Sequence, residues 1–213
     1  MTNSYHTPSR EEGYFFHVDG IELPAELREV LIKQSKLDTA PTWSDNDSTK
    51  DVREQWRQSR NPNQINNTRH GVQSNPANEG TDLIWNGQEP EIRTLYNLIH
   101  PEAKKHLTYI ILARCAADGF MSPHIDKYQY NEPRKAVMFL PLTPYSGHDW
   151  APLTFYPPEG GTLSVGWSPC YVADTERVHG FENNNNYRAS VSIAFACDVE
   201  TLYTLYAKGM LMA

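Results

Sequence analysis

Apolar residues recur at helical spacing in two stretches of the first half of the chain. One stretch covers residues 24–36, PAELREVLIKQSK, and the other covers residues 89–100, EPEIRTLYNLIH. Their apolar positions are Leu27, Val30 and Leu31 in the first stretch and Ile92, Leu95, Tyr96 and Ile99 in the second. The second set follows the spacing of one helix face, and Pro24 suits the first turn of a helix. We therefore predict a helix in each stretch.

From residue 107 onward the pattern changes to short apolar runs that are separated by Pro, Gly and Asn turns. Such a series predicts β-strands in a sandwich or a barrel. The predicted strands are HLTYIILARCA, HIDKYQY, KAVMFLPL, PLTFYP, GTLSVGW, CYVAD, RVHGF, YRASVSIAFACD and TLYTLY. The run NNNN at residues 183–186 is typical of a hairpin loop between two of these strands. The fold is thus predicted to be mainly β with packed helices, an α+β arrangement.

Residues 38–80 are rich in Asn, Ser, Asp, Gln and Pro and contain few aliphatic residues. A polar segment of this length within one domain is typical either of a binding lid or of plain disorder. The candidates for a substrate lid within it are Trp43, Trp56, Arg60 and Arg69. We predict a single domain over residues 1–213. A helical and loop region would cover residues 1–106, and the β core would cover residues 107–206.

Composition and charge narrow the class of protein. Of the 213 residues, 39% are hydrophobic and 21% are charged, as in ordinary globular domains. The formal charge of −7 and the absence of a Lys and Arg cluster disfavour a nucleic-acid partner. No apolar run has the length of a membrane span, and the N-terminus lacks the pattern of a secretory signal. Cys115, Cys170 and Cys197 form no CxxC pair, which favours free thiols and a cytoplasmic location.

The stretch SPHIDKY places His124 and Asp126 two positions apart. Residues i and i+2 of a strand lie on one face, so a strand at HIDKYQY would present both as ligands of a divalent metal. His179, in the predicted strand RVHGF, is the natural third ligand. Two histidines and one carboxylate form a facial triad with open positions, which favours Fe(II) oxygen chemistry. A structural zinc site would need a fourth ligand, which Cys170 could supply.

Arg188 and Ser190 follow His179 in the stretch YRAS and share one face of the next predicted strand. A guanidinium beside a hydroxyl suits a carboxylate, because Arg gives paired, charge-assisted hydrogen bonds and Ser adds another. An arginine at the head of an apolar strand would otherwise be a costly inward charge. The pair therefore predicts a carboxylate-binding site.

Together these residues resemble the motif of the Fe(II)/2-oxoglutarate-dependent oxygenases. That motif is HxD, then a distal His, then an Arg that is often part of RxS. The chain has His124-Ile125-Asp126, His179 and Arg188-Ala189-Ser190 in this order. The approach DGFMSPHID also resembles the prolyl-hydroxylase-like branch of the family. The resemblance covers about residues 107–196.

The resemblance implies a fold, a reaction and a set of partners. The fold is a double-stranded β-helix, or jelly roll, with helices on one sheet. His124, Asp126 and His179 would hold Fe(II) as the catalytic centre, and Arg188 and Ser190 would bind the far carboxylate of 2-oxoglutarate. The reaction would consume O₂ and 2-oxoglutarate, release succinate and CO₂, and hydroxylate an unactivated C–H bond, with support from ascorbate. The prime substrate would be a peptidyl proline or an amino-acid-like molecule.

The cosubstrate-binding tyrosine and the class of function each have more than one candidate. Many prolyl-hydroxylase-like members have a tyrosine that helps to hold the cosubstrate where this chain has Cys115. Tyr109, Arg114 and Tyr128 are the candidates to replace it or to line the pocket.

The alternative functions are a cupin-type metalloprotein and a non-catalytic β-barrel binding protein, neither of which would use 2-oxoglutarate.

Overall fold

The computed structural model describes residues 9–35, 81–84, 90–115, 120–125, 135–143, 152–182 and 187–213. The helices in these ranges are α1, Ala25–Ser35; α2, Pro90–Leu98; α3, Pro101–Lys104; and α4, Val199–Ala207. The strands are β1, Arg10–Glu11; β2, Phe15–His17; β3, Thr81–Ile84; β4, Leu107–Cys115; β5, Phe120–His124; β6, Ala136–Thr143; β7, Thr154–Phe155; β8, Leu163–Ser164; β9, Tyr171–Asp174; β10, His179–Glu182; and β11, Arg188–Phe195. The predicted segment 38–80, with its lid candidates Trp43, Trp56, Arg60 and Arg69, lies outside these ranges.

The strands form two antiparallel sheets. The larger sheet has seven strands in the order β1-β2-β9-β6-β11-β4-β3, and the smaller has four in the order β5-β10-β7-β8. Every strand pair in the described ranges is antiparallel. The prediction of a mainly β chain with few helices is therefore confirmed, and the arrangement is that of a jelly-roll-like sandwich. No helix within the described ranges is long and apolar enough to cross a membrane.

The seven-stranded sheet buries both of its faces, but the two faces carry different chemistry. All eight residues of β11 are buried. Alternate side chains of a strand point to opposite faces, so one face receives Ala189, Val191, Ile193 and Phe195. These four belong to the larger apolar core. The other face receives Arg188, Ser190, Ser192 and Ala194, so three of the four residues that β11 places on this buried face are polar.

The helices cover the apolar face of the seven-stranded sheet. Leu31 of α1, Leu95 of α2, Ala103 of α3 and Leu202 of α4 share one core with β-strand residues such as Val191. The helices predicted at residues 24–36 and 89–100 are α1 and α2. A second core, which includes Phe15, Phe155 and Tyr171, combines residues of both sheets on the opposite side. The interior between the two sheets is therefore separate from the core under the helices.

The sequence predicts a strand at TLYTLY, residues 201–206, and this prediction is wrong because the segment lies within α4. Asp198 caps the helix, since its Oδ1 accepts a hydrogen bond of 2.7 Å from the Thr201 amide. Gly209 ends it with a φ of 68°, and the Met210 amide donates to the Leu205 carbonyl as in a Schellman motif. The β-propensity of Thr, Leu and Tyr is outweighed by these two caps and by burial of one helix face.

The region before residue 107, expected to be helix and loop with a strand-like run at residues 13–24, contributes β1, β2 and β3 to the two edges of the seven-stranded sheet. One further prediction about the β structure needs correction. The NNNN run was expected to close a hairpin, but β10 and β11 on either side of it belong to different sheets. The chain thus passes from one sheet to the other between His179 and Arg188, which no local turn signal reveals.

Candidate active site

Two adjacent strands of the smaller sheet bring the candidate metal-ligand histidines together. The antiparallel register of β5 and β10 pairs His124 with His179. The two positions are therefore direct neighbours across adjacent strands. The sequence predicts a strand that begins at His124, whereas β5 ends there. Asp126 lies outside the described residues, so the full triad stays a prediction.

His179 is held in the form that a metal ligand requires. Its side chain is 1% exposed, and Nδ1 lies 2.8 Å from the carbonyl oxygen of Arg177. A carbonyl oxygen can only accept, so Nδ1 must carry the hydrogen. In the neutral ring Nε2 is then the nitrogen with the lone pair. A backbone carbonyl on the second nitrogen is the usual way in which proteins orient a metal-binding histidine. The residue therefore fits a metal centre.

The turn before His179 is fixed by several contacts, which hold the Arg177 carbonyl in place. Asp174 Oδ1 accepts a hydrogen bond of 2.8 Å from the Glu176 amide, and Oδ2 lies 3.6 Å from Nε of Arg177. The Arg177 guanidinium lies 5.4 Å from the centre of the Tyr14 ring. Burial raises the pKa of the Asp174 carboxyl, and its hydrogen bond to Glu176 opposes the shift.

Arg188 faces the smaller sheet from the first position of β11. The residue is 4% exposed, and its guanidinium carbon lies 4.0 Å from the centre of the Phe181 ring in β10. A guanidinium over a ring face is stabilised by the negative charge of the π system. Ser190 is 6% exposed and belongs to the same polar face. The two residues predicted to bind a carboxylate therefore lie in the interior between the sheets, next to the strand of His179.

Tyr171 is a site residue that sequence reasoning misses. It is 0% exposed, and its ring stacks on Phe139 with centroids 5.0 Å apart. Burial raises the pKa of its hydroxyl to about 12, and the charge of Arg188 and a hydrogen bond with its guanidinium oppose the shift. CYVAD marks a strand but carries no motif, so only the fold reveals this neighbour of Arg188.

The other candidates occupy different positions. Tyr109 is in register with Ala194 of β11. Arg114 is in register with Ala189, and Cys115 is in register with Arg188. Tyr128 lies outside the described residues.

Cys170, the alternative zinc ligand, belongs to the core under the helices. Burial raises the pKa of its thiol, which disfavours the thiolate that zinc requires. Within the described part of the chain, no three His, Cys, Asp or Glu side chains gather as a metal-binding group.

Comparison with known proteins finds a similar fold among solved structures. No protein-family model matches the sequence, and no curated protein does. The epimerase SnoN of nogalamycin biosynthesis, a non-heme α-ketoglutarate-dependent enzyme, matches with a TM-score of 0.52 and 14% identity, over 86% of this chain and 77% of that chain. A prolyl-4-hydroxylase of Pseudomonas putida matches with a TM-score of 0.46 and 16% identity, over 81% of this chain and 87% of that chain. A viral collagen prolyl hydroxylase of Paramecium bursaria Chlorella virus 1 matches with a TM-score of 0.47 and 11% identity, over 85% of this chain and 94% of that chain.

The likeness to SnoN defines the class of fold. α-Ketoglutarate is another name for 2-oxoglutarate, so the fold is one that serves 2-oxoglutarate-dependent enzymes. The resemblance that the sequence motifs suggest is thereby confirmed for the fold. At 14% identity the likeness extends to the fold alone.

Proposed function

We propose that this chain is an Fe(II)- and 2-oxoglutarate-dependent dioxygenase that hydroxylates an unactivated C–H bond and releases succinate and CO₂. Its two sheets would form the double-stranded β-helix of such enzymes. The observation that carries the proposal is the register that sets His124 opposite His179. The same interior holds Arg188, which is buried at 4% exposure.

In this proposal each residue has one task. His124, Asp126 and His179 hold the iron, which supplies the capacity to activate O₂ when bound. The Arg177 carbonyl keeps the proton of His179 on Nδ1, so that Nε2 serves as the ligand. Arg188 and Ser190 bind the far carboxylate of 2-oxoglutarate and orient it. The aromatic side chains around them, such as Phe155 and Phe181, exclude water from the interior.

The metal assignment is tested by removing one ligand at a time. His124→Ala, Asp126→Ala and His179→Ala should each abolish the binding of Mn(II), used as a redox-stable probe, and Fe(II)-dependent succinate formation. The melting temperature should change little, because ligands of an open site are not the main source of core stability. His106→Ala is the matched control, since His106 lies in the turn after α3. Normal Mn(II) affinity in the His179 variant would refute the triad.

The cosubstrate assignment is tested by anaerobic titration with 2-oxoglutarate. Arg188→Ala should cost about 2–5 kcal/mol of binding free energy, as when one partner of a buried charge pair is removed. Arg188→Lys should lose less binding free energy than Arg188→Ala but should bind more weakly than the unaltered protein, because an ammonium keeps the charge but not the planar fork. Ser190→Ala should cost about 1 kcal/mol of binding free energy. Mn(II) affinity should remain unchanged in all three variants.

The alternatives give different outcomes in the same experiments. A cupin-type metalloprotein would bind Mn(II) but would gain no thermal stability from 2-oxoglutarate, whereas a specific ligand stabilises by mass action. A non-catalytic binding protein would form no succinate, even in an uncoupled reaction with ascorbate.

For the prime substrate we propose a peptidyl proline or an amino-acid-like molecule, which the stretch DGFMSPHID supports. Proline-containing peptides and free amino acids should therefore be the first substrates assayed.

A further inference from the structure

Tyr187 lies directly before Arg188 and connects the start of β11 to the helices. Its side chain packs against the larger apolar core, whereas the Arg188 guanidinium lies over the Phe181 ring on the other side of the sheet. The Tyr187 hydroxyl lies 2.8 Å from the carbonyl oxygen of Ser35 and 2.7 Å from Ser35 Oγ. Ser35 is the last residue of α1 and is 0% exposed, so water does not compete for this hydrogen bond.

The backbone at Arg188 is held regularly on one side and irregularly on the other. Arg188 is in register with Cys115 of β4. On the β6 side, the pairing within the described residues begins at Ala189 and changes register between Ala189 and Ser190. Chain segments at the ends of such ladders open more easily than the centre of a sheet. A contact from outside the ladder therefore has its greatest effect here, and the Tyr187 hydroxyl supplies one.

The proposed task of Arg188 depends on its position. The paired N–H groups of a guanidinium bind a carboxylate well only when the planar fork and the two oxygens are aligned. Side chains of a binding site have to be held within about 0.5 Å of the productive geometry by the residues that support them. The Phe181 ring, 4.0 Å from the guanidinium carbon, supports the outer end of the side chain. The backbone end depends on how the first residues of β11 are fixed.

We propose that Tyr187 is a positioning residue for 2-oxoglutarate. Through its hydrogen bond to Ser35 it fixes the backbone of Arg188, and hence the guanidinium that binds the far carboxylate. This inference rests on the proposed function. It gives the end of α1 a part in cosubstrate affinity, although Ser35 lies on the opposite side of the seven-stranded sheet from Phe181 and the proposed ligand.

Tyr187→Phe tests this role, since it removes only the oxygen. The dissociation constant of 2-oxoglutarate should rise about threefold to tenfold in the presence of Mn(II), measured anaerobically by calorimetry. The binding of 2-oxopentanoate, which has the same chain length but no far carboxylate, should not change. In the Arg188→Ala background the same substitution should have no further effect on 2-oxoglutarate, because the group that it positions is absent. Ser35→Ala, which keeps the carbonyl acceptor, should give a smaller increase in the same direction.

Asp198→Ala is the matched control, because it removes the cap of α4 just beyond the other end of β11. It should lower the melting temperature about as much as Tyr187→Phe but leave the dissociation constant of 2-oxoglutarate unchanged. All titrations are made at a temperature at which circular dichroism shows every variant to be folded.

Three results would overturn the inference. If Arg188→Ala weakens 2-oxoglutarate binding but Tyr187→Phe only lowers the melting temperature, the hydrogen bond serves stability alone and the proposed function stands. If Tyr187→Phe weakens both ligands equally, or weakens 2-oxoglutarate as much in the Arg188→Ala background, it does not act through Arg188. If the unaltered protein binds no 2-oxoglutarate, the inference and the proposed function fail together.

Discussion

The hydroxyl of Tyr187 connects the end of a helix to the residue just before Arg188. It lies 2.8 Å from the carbonyl oxygen of Ser35 and 2.7 Å from its Oγ, at the last position of α1. The Ser35 hydroxyl in turn donates to the Ile32 carbonyl at 2.7 Å. The last carbonyls of a helix have no partner within the helix, so the tyrosine satisfies one of them. The start of β11 is thereby fixed to α1.

Tyr187→Phe should lower the free energy of unfolding by about 1–2 kcal/mol. The variant loses the hydrogen bond and leaves the Ser35 carbonyl without this donor at a residue that is fully buried. Urea unfolding measures the change. Tyr96→Phe is the control, because Tyr96 is 44% exposed and its substitution should change stability by less than about 0.5 kcal/mol. A Tyr187→Phe protein as stable as the unaltered chain would show that the contact is not important.

Sequence reasoning at the scale of residues succeeds where a motif marks the residue. The chain order of His124, His179 and Arg188 suggests a site because each type has a known use at that spacing. Tyr171 has no such mark, since its place beside Arg188 depends on β9 lying two strands away from β11 in the sheet. The partner of its hydroxyl is set by tertiary packing, and single-sequence patterns do not encode which strands become neighbours.

Helix α4 depends on the carboxylate at its first turn. Asp198 Oδ1 accepts a hydrogen bond of 2.7 Å from the Thr201 amide, which otherwise has no partner within the helix. Hydrogen bonds from the Thr201 side chain and from its amide lower the pKa of the Asp198 carboxyl below its ordinary value. A group whose folded-state pKa is depressed stabilises the fold above its unfolded pKa, near 3.9 for Asp. That contribution is lost as the pH falls through the folded pKa.

Replacing this cap should give a pH-dependent loss of stability. Asp198→Ala should lower the free energy of unfolding by about 1 kcal/mol at neutral pH, because the Thr201 amide loses its acceptor. Asp198→Asn should retain most of the stability at neutral pH, since its side-chain oxygen still accepts. Below about pH 4 the unaltered protein should lose its advantage over Asp198→Ala. Urea unfolding of the three proteins at several pH values checks this, and an advantage that persists in acid would contradict it.

At the scale of elements, local patterns predict type better than position. Helices α1 and α2 and the long strand β11 agree with their predicted segments, because their apolar spacing is sustained. The strand that contains His124 lies further toward the N-terminus than the predicted segment HIDKYQY, and it includes Pro123. Proline is depleted from strands, so the sequence pattern favours a strand that begins after Pro123.

For the whole molecule, the seven-stranded sheet separates stability from function. One face packs against the helices through aliphatic residues, and the other carries Arg188, Ser190 and Ser192 into the space between the sheets. The fully buried strand β11 contributes side chains to both faces. Burial alone therefore does not distinguish the core from the site. The chemistry of alternate residues does, and this alternation is visible in the sequence RASVSIAF once the strand is known.

This separation predicts different results for two neighbouring residues of β11. Ile193→Ala, on the helix side, should lower the free energy of unfolding by about 2–5 kcal/mol, because it leaves a cavity in the larger core. Ser192→Ala, on the side between the sheets, should cost about 1 kcal/mol or less, since it removes one hydroxyl and leaves no comparable cavity. Urea unfolding gives both values, and calorimetry gives the dissociation constant of 2-oxoglutarate for the folded variants. The affinity of the Ile193 variant should be unchanged, because the substitution faces away from Arg188. If Ser192→Ala were as destabilising as Ile193→Ala, the polar face would be a packing core, and the space between the sheets would not be the place for a ligand.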